Sequence, residues 1–192
     1  MRKWLAPLLA LSMPALAGDA GQAPETIAFM GQELELRFQS RGESAGGEPL
    51  KVWQYLPADA SPQRWRTMVA VKVHQDPSVS VKQVVREKVA LIEARRAKGD
   101  PVARHQTFRR GDGEAVIVDM LAAGQTGEEL FLEHSVVRVA KPRGHVVDRH
   151  MARRLYLEKG DPDRQKAFVR TIKTDRKRIY RALETGEFPG PP

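Results

Sequence analysis

Residues 144–156, Gly-His-Val-Val-Asp-Arg-His-Met-Ala-Arg-Arg-Leu-Tyr, place two histidines, one aspartate and three arginines in thirteen positions. Such a set can bind a metal, move protons, or lace the face of a sheet with charge pairs. The apolar alternation makes it a strand, and successive side chains on a strand point to opposite faces. His145 and His150 are an odd number of residues apart, so they face opposite ways and cannot chelate one metal. Asp148 and His150 share a face. A turn over Lys141–Gly144 that pairs Ala140 with His145 sets Ser135 opposite His150 and brings Glu133 and Arg154 onto the same face. Glu133, Asp148, His150 and Arg154 are therefore the candidate catalytic residues, a cluster able to do acid–base work. A slip of one residue would dissolve it. The plain alternative is a solvated face carrying cross-strand ion pairs.

Other chemistry is sparse. His134 and Met151 fall opposite each other on the other face with Leu132, Val136 and Val147, as a core histidine would. His74 and His105 sit on other strands without acidic or histidine neighbours at ligand spacing. The chain has no His-Glu-x-x-His, Gly-x-Ser-x-Gly, P-loop or Gly-x-Gly-x-x-Gly pattern. Ser135 has no evident triad, and Ser78 and Ser80 are explained by helix capping. The absence of cysteine excludes disulfides, thiol catalysis and cysteine-ligated metals. No metal and no cofactor are expected. Trp53 and Tyr55 share a strand face, where they make either an aromatic floor for a ligand or core packing.

The strongest pattern outside the expected core is a basic stripe. Lys166, Arg170, Lys173, Lys177 and Arg181 recur at helical spacing, apart from an apolar stripe of Phe168, Ile172, Ile179 and Leu183. One stripe can dock while the other is displayed. Charge is uneven along the whole chain: residues 18–140 hold 16 Lys and Arg against 17 Asp and Glu, whereas residues 141–183 hold 14 against 5. The positive excess thus lies in the last quarter.

The N-terminus reads as an export signal. Met1-Arg2-Lys3 is a basic start, an apolar run follows, and Ala15-Leu16-Ala17 ends in the small-x-small pattern of a cleavage site, placing the cut after Ala17. The run is shorter than the ~20 residues of a membrane span, and without cysteine there is no lipid anchor. The expectation is a soluble periplasmic protein. Its available polyanions are anionic lipid, lipopolysaccharide or an acidic envelope protein, in place of nucleic acid. Oligomeric state is not legible.

Residues 18–26 read as a flexible lead-in, 27–183 as one α+β domain and 184–192 as a flexible tail. Leu34, Leu36 and Phe38 form one face of a first strand, and residues 50–57 and 64–74 form two more. A helix begins at Ser80, whose N-cap and Gln83 make a capping box, with Val79 and Val84 as a hydrophobic staple. Its inward stripe is Val81, Val85, Val89 and Ile92, and Gly99 and Pro101 end it. Four strands in a meander follow, then a helix opening at Asp161-Pro162. The expectation is an antiparallel sheet of about seven strands with two helices packed on it.

The Trp53–Val71 stretch, with Trp53, Tyr55 and Pro57, a short polar loop, then Trp65 entering the strand through Met68, resembles uncharacterised exported bacterial proteins of the Mog1/PsbP-like fold class. The element order over about residues 30–180 does too. The resemblance implies a Mog1/PsbP-like sandwich with a binding or accessory role and carries over no catalytic residue. The leading expectation is a non-enzymatic cell-envelope binding protein. A hydrolase or metal-dependent enzyme centred on Glu133, Asp148 and His150 is the alternative.

Overall fold

The computed structural model describes residues 23–44, 46–111, 114–158 and 162–189. The expected signal and cleavage site lie outside them. Eight strands form one antiparallel sheet: β1 (Thr26–Phe29), β2 (Gln32–Glu43), β3 (Pro49–Leu56), β4 (Thr67–His74), β5 (Arg104–Arg110), β6 (Ala115–Thr126), β7 (Glu129–Ala140) and β8 (Val147–Tyr156). Helix α1 (Val81–Ala97) lies between β4 and β5, and α2 (Pro162–Thr185) follows β8. The spatial order β1-β2-β3-β4-β8-β7-β6-β5 is two four-stranded meanders joined through β4 and β8. Helix α1 carries the chain from that central seam to the far edge.

The two helices cover opposite faces. Valines 69, 71 and 73 of β4, Val136 of β7 and Met151 of β8 pack with Ile179, Tyr180 and Leu183 of α2. Val118, Met120, Val137 and Val139 pack with Val84 and Ile92 of α1. Helix α2 touches both edges of the sheet: Arg178 donates to the Met30 carbonyl beside β1 at 3.0 Å, and Tyr180 stacks at a tilt on Phe108 of β5 at 5.7 Å. The sheet therefore curls around α2, as the intrinsic twist of wide sheets favours.

The α+β class and both helices stand, but the sheet has eight strands where about seven were expected. The extra strand is β1, which takes in Thr26 from the supposed lead-in. Its hairpin to β2 turns on Met30 and Gly31 at φ of 54° and 82°. That two-residue turn needs positive φ at both positions. Only Gly31 adopts it freely, so the methionine hides the turn from a reading of residue types. A β-bulge between Leu36 and Phe38 moves Phe38 off the face of Leu34 and Leu36, with which alternation had grouped it. Phe188, in the stretch read as tail, packs at 6.2 Å from the ring of Phe29.

The Ser80 cap forms as expected, its hydroxyl accepting from Gln83 N at 3.1 Å. The Gln83 side chain instead donates to Glu48 at 2.7 Å, tying α1 to β3. Strand β6 runs through Gly124. A Cβ there would sit 2.4 Å from the Phe131 ring, so only glycine lets Phe131 cross over β6.

Candidate functional site

The four candidate catalytic residues do share a face, the one covered by α1. The register differs by two residues from the expected one: Val137, and not Ser135, lies opposite His150, and Glu133 pairs with Arg154. The reason is the turn. Pro142–Gly144 form a 3-10 turn and His145 and Val146 precede the strand, so the connection takes two more residues than a tight turn would. An even slip keeps every side chain on its face.

Each carboxylate of the cluster already has a cation. Arg154 Nε donates to Glu133 at 2.8 Å, and Ser135 Oγ donates to the other Glu133 oxygen at 3.0 Å. Lys88 of α1 reaches Asp148 at 2.5 Å. The Arg154 guanidinium lies 3.8 Å from the Trp65 ring centroid and 4.1 Å from that of Phe131. It is held by π faces as well as by Glu133. Trp65 is fixed in turn by Tyr156, whose hydroxyl accepts from Trp65 N at 3.2 Å and donates to its carbonyl at 3.1 Å. This end of the cluster is a structural lock. No group of three metal-ligating side chains occurs among the described residues.

The other end is different. Lys72 of β4 lies opposite Asp148 in the ladder, on the face of that strand away from Val69, Val71 and Val73. Helix α1 covers that side. Burial pushes the Lys72 amine down to about 8, with Lys88 adding to the fall and Asp148 opposing it. His150 is only 7% exposed, and its Nε2 has no hydrogen-bond partner. Burial first, then Lys72, Lys88, Arg154 and His134, hold its pKa well below the ordinary range. Burial also lowers His74, although Asp148 at 3.9 Å opposes this. Between Lys72, His150 and α1 lies a cavity of about 90 Å³, lined also by Lys88, Met120, Ala122, Ser135 and Val137.

These two histidines make stability pH-dependent. Each has its pKa lowered in the folded state and takes a proton near pH 6.5 when unfolded, so the unfolded state binds more protons as pH falls. Their contribution is complete above about pH 6.5 and declines below it, by at most about 1.4 kcal/mol per histidine per pH unit. Urea midpoints should therefore fall steadily from pH 7 to pH 5, and His150→Leu should flatten the slope. A wild-type midpoint constant over that range would contradict the assignment.

On the α2 face, the remaining arginines of residues 144–156 serve the helix. Arg149 donates to the Leu183 and Glu184 carbonyls at 3.1 Å each, capping the end of α2, and Arg153 pairs with Asp175 at 2.7 Å. His134 Nε2 pairs with Asp119 at 3.1 Å, while its buried Nδ1 has no hydrogen-bond partner. Trp53 and Tyr55 lie in the core beneath α2, with Tyr55 donating to the Pro24 carbonyl at 3.2 Å. They fill space between sheet and helix and expose no ligand floor.

The basic stripe is displayed. Lys166, Arg170, Lys173, Lys177 and Arg181 are all exposed, while Ile172, Ile179, Tyr180 and Leu183 are buried. Lys166 pairs with Asp163 at 3.2 Å. The other four have no ion pair among the described residues.

Among the described residues, fold and site together describe an α+β protein with a small cavity under α1 and a cationic face on α2. Residues 22–188 match the model of an uncharacterised protein family, and the chain belongs to that family. No curated protein matches it. A crystal structure of a Pseudomonas aeruginosa protein of unknown function, a suggested regulator, aligns over 90% of this chain and 100% of its own at 14% identity. Its TM-score of 0.34 is too low to bear on fold or function. Among the described residues no helix is long and apolar enough to cross a membrane.

Proposed function

We propose that this chain is an exported, periplasmic, non-enzymatic accessory protein of the Mog1/PsbP-like class whose α2 binds an anionic surface of the cell envelope, that of acidic lipid or lipopolysaccharide. The observation that carries this reading is the division of labour on α2. Its apolar side and Asp175 are committed to the sheet, and Arg170, Lys173, Lys177 and Arg181 stand exposed on the outside. Cations held in a row repel one another and do not serve the core, so an external anion is their natural complement. Each contributes about 1 kcal/mol near an anionic membrane, screened over about 8 Å at physiological salt. The association is weak, salt-sensitive and superficial. The alternative, acid–base catalysis by Glu133, Asp148 and His150, is disfavoured by the pairing of both carboxylates.

The test is co-sedimentation with vesicles containing acidic lipid or lipopolysaccharide, at low and high salt. Wild type should bind at low salt and be released at high salt. The variant carrying Arg170→Glu, Lys173→Glu and Lys177→Glu should remain folded and fail to bind. Absence of wild-type binding at low salt, or equal binding by the variant, would defeat the proposal.

A further inference from the structure

The cavity under α1 is unbalanced in charge. Three cations from three elements face this region: Lys72 of β4, Lys88 of α1 and Arg154 of β8. Two carboxylates answer them, Asp148 taken by Lys88 and Glu133 taken by Arg154. Lys72 has no ion-pair partner among the described residues. It shares the cavity with His150, whose buried Nε2 has no hydrogen-bond partner. Polar groups buried without partners are rare and costly in folded proteins. Here His150 lines an open space, with the half-buried Lys72 beside it.

The rest of the wall is apolar: Ile92, Met120, Ala122 and Val137, with Leu91 at the surface and 47% exposed. The volume of about 90 Å³ sets the size. It is smaller than the ~150 Å³ cavity that encloses benzene. One surplus cation calls for a monoanion, and the apolar wall calls for a hydrocarbon body. We propose that this cavity binds a short-chain monocarboxylate, its carboxylate held by Lys72 and His150 and its body lying on Met120, Ala122 and Val137. A body of about two to four carbons fits the volume. Ligands of this kind are metabolic acids and end groups of cleaved acyl chains.

The site is independent of the α2 stripe, so each can fail alone. The probe is butyrate, titrated into the intact mature protein by calorimetry or NMR, with butanol and butylamine as neutral and cationic controls of the same length. Butyrate should bind, and both controls should bind at least about tenfold more weakly, because only the anion meets Lys72. Lys72→Met removes the charge at similar volume, a change that folded proteins tolerate well, and should weaken butyrate by about tenfold or more. Ala122→Leu fills the cavity and should abolish binding while Lys72 remains.

Affinity should also hold up to about pH 8 and fall above it, as the Lys72 amine loses its proton. The charged and titratable groups that act on Lys72 or share its cavity are Lys88 of α1, Asp148 and His150 of β8 and Glu133 of β7, while Glu87 and Glu48 act on His74. The two histidines are already neutral there, which leaves the amine to set the limb. No butyrate binding at about 10 mM, equal binding of butanol, or an unchanged Lys72→Met variant would each overturn the assignment.

Discussion

Arg154→Ala is expected to lower stability by about 3–5 kcal/mol, the usual cost of removing one member of a buried ion pair. The structure gives the reason. Arg154 and Glu133 are 9% and 6% exposed, so truncation strands a carboxylate that only Ser135 can then address. It also empties the space between Trp65 and Phe131, whose rings lie about 4 Å from the guanidinium centre. Trp65 packs with Leu56, Met68 and Ala152, so the damage spreads to β3 and β4. Arg154→Lys should recover little, because a compact ammonium neither forks to a carboxylate nor stacks on rings as guanidinium does. The decisive control is the double variant Glu133→Leu with Arg154→Met. It deletes both charges and restores apolar volume, and should recover most of the loss. Urea midpoints of the four proteins check this. If Arg154→Ala cost less than about 1 kcal/mol, the lock would be a loose surface pair.

How far the sequence reveals this region depends on which constraint acts. Face membership of Glu133, Asp148, His150 and Arg154 follows from strand parity, and it survives because the extra turn residues around Pro142–Gly144 come as a pair. Ser80, Val79 and Val84 are legible because capping is local. Lys72, Lys88 and Asp119 are not, because their roles are set by contacts between elements far apart in the chain. Lys88 meets Asp148 only once α1 lies across β4 and β8. One signal was available: Ala115-Val116-Ile117-Val118-Asp119-Met120-Leu121 is apolar on both faces, as strands covered on both sides are. A lysine at the centre of such a sheet is then drawn partly out of water, as Lys72 is. The butyrate site rests on that same burial, so it is invisible until both helices are placed. Thirteen crowded residues turn out to divide by face: Arg149 and Arg153 dock α2, Arg154 locks the opposite face, and His150 is left facing the cavity.

Asp119→Ala should cost about 3 kcal/mol and loosen α2 before the rest of the sheet, because one carboxylate there gathers three elements. Tyr180 donates to its Oδ2 at 2.7 Å, Arg176 Nε lies 2.8 Å from the same oxygen, and His134 of β7 lies 3.1 Å from Oδ1. Two of these partners belong to α2, and removing the acceptor leaves a buried hydroxyl and a partly buried cation unsatisfied. Burial alone would push the Asp119 carboxyl up, but the hydrogen bonds from His134 and Tyr180 and the nearby positive charges outweigh it and hold it below the usual range. The sign follows: with the folded pKa depressed, the contribution is present above the ordinary carboxylate range, near pH 4, and is lost as pH falls through the folded value. This acid limb lies below the histidine limb of pH 5–7, so the two separate on one stability curve. Asp119→Asn keeps the shape but turns an amide N–H toward donors, and should lie near Asp119→Ala. Hydrogen exchange gives the local readout: amides of α2 should exchange faster in Asp119→Ala while those of β4 and β8 stay protected. Uniform acceleration across the sheet, or a variant as stable as wild type at pH 7, would show that α2 is held by its apolar face alone.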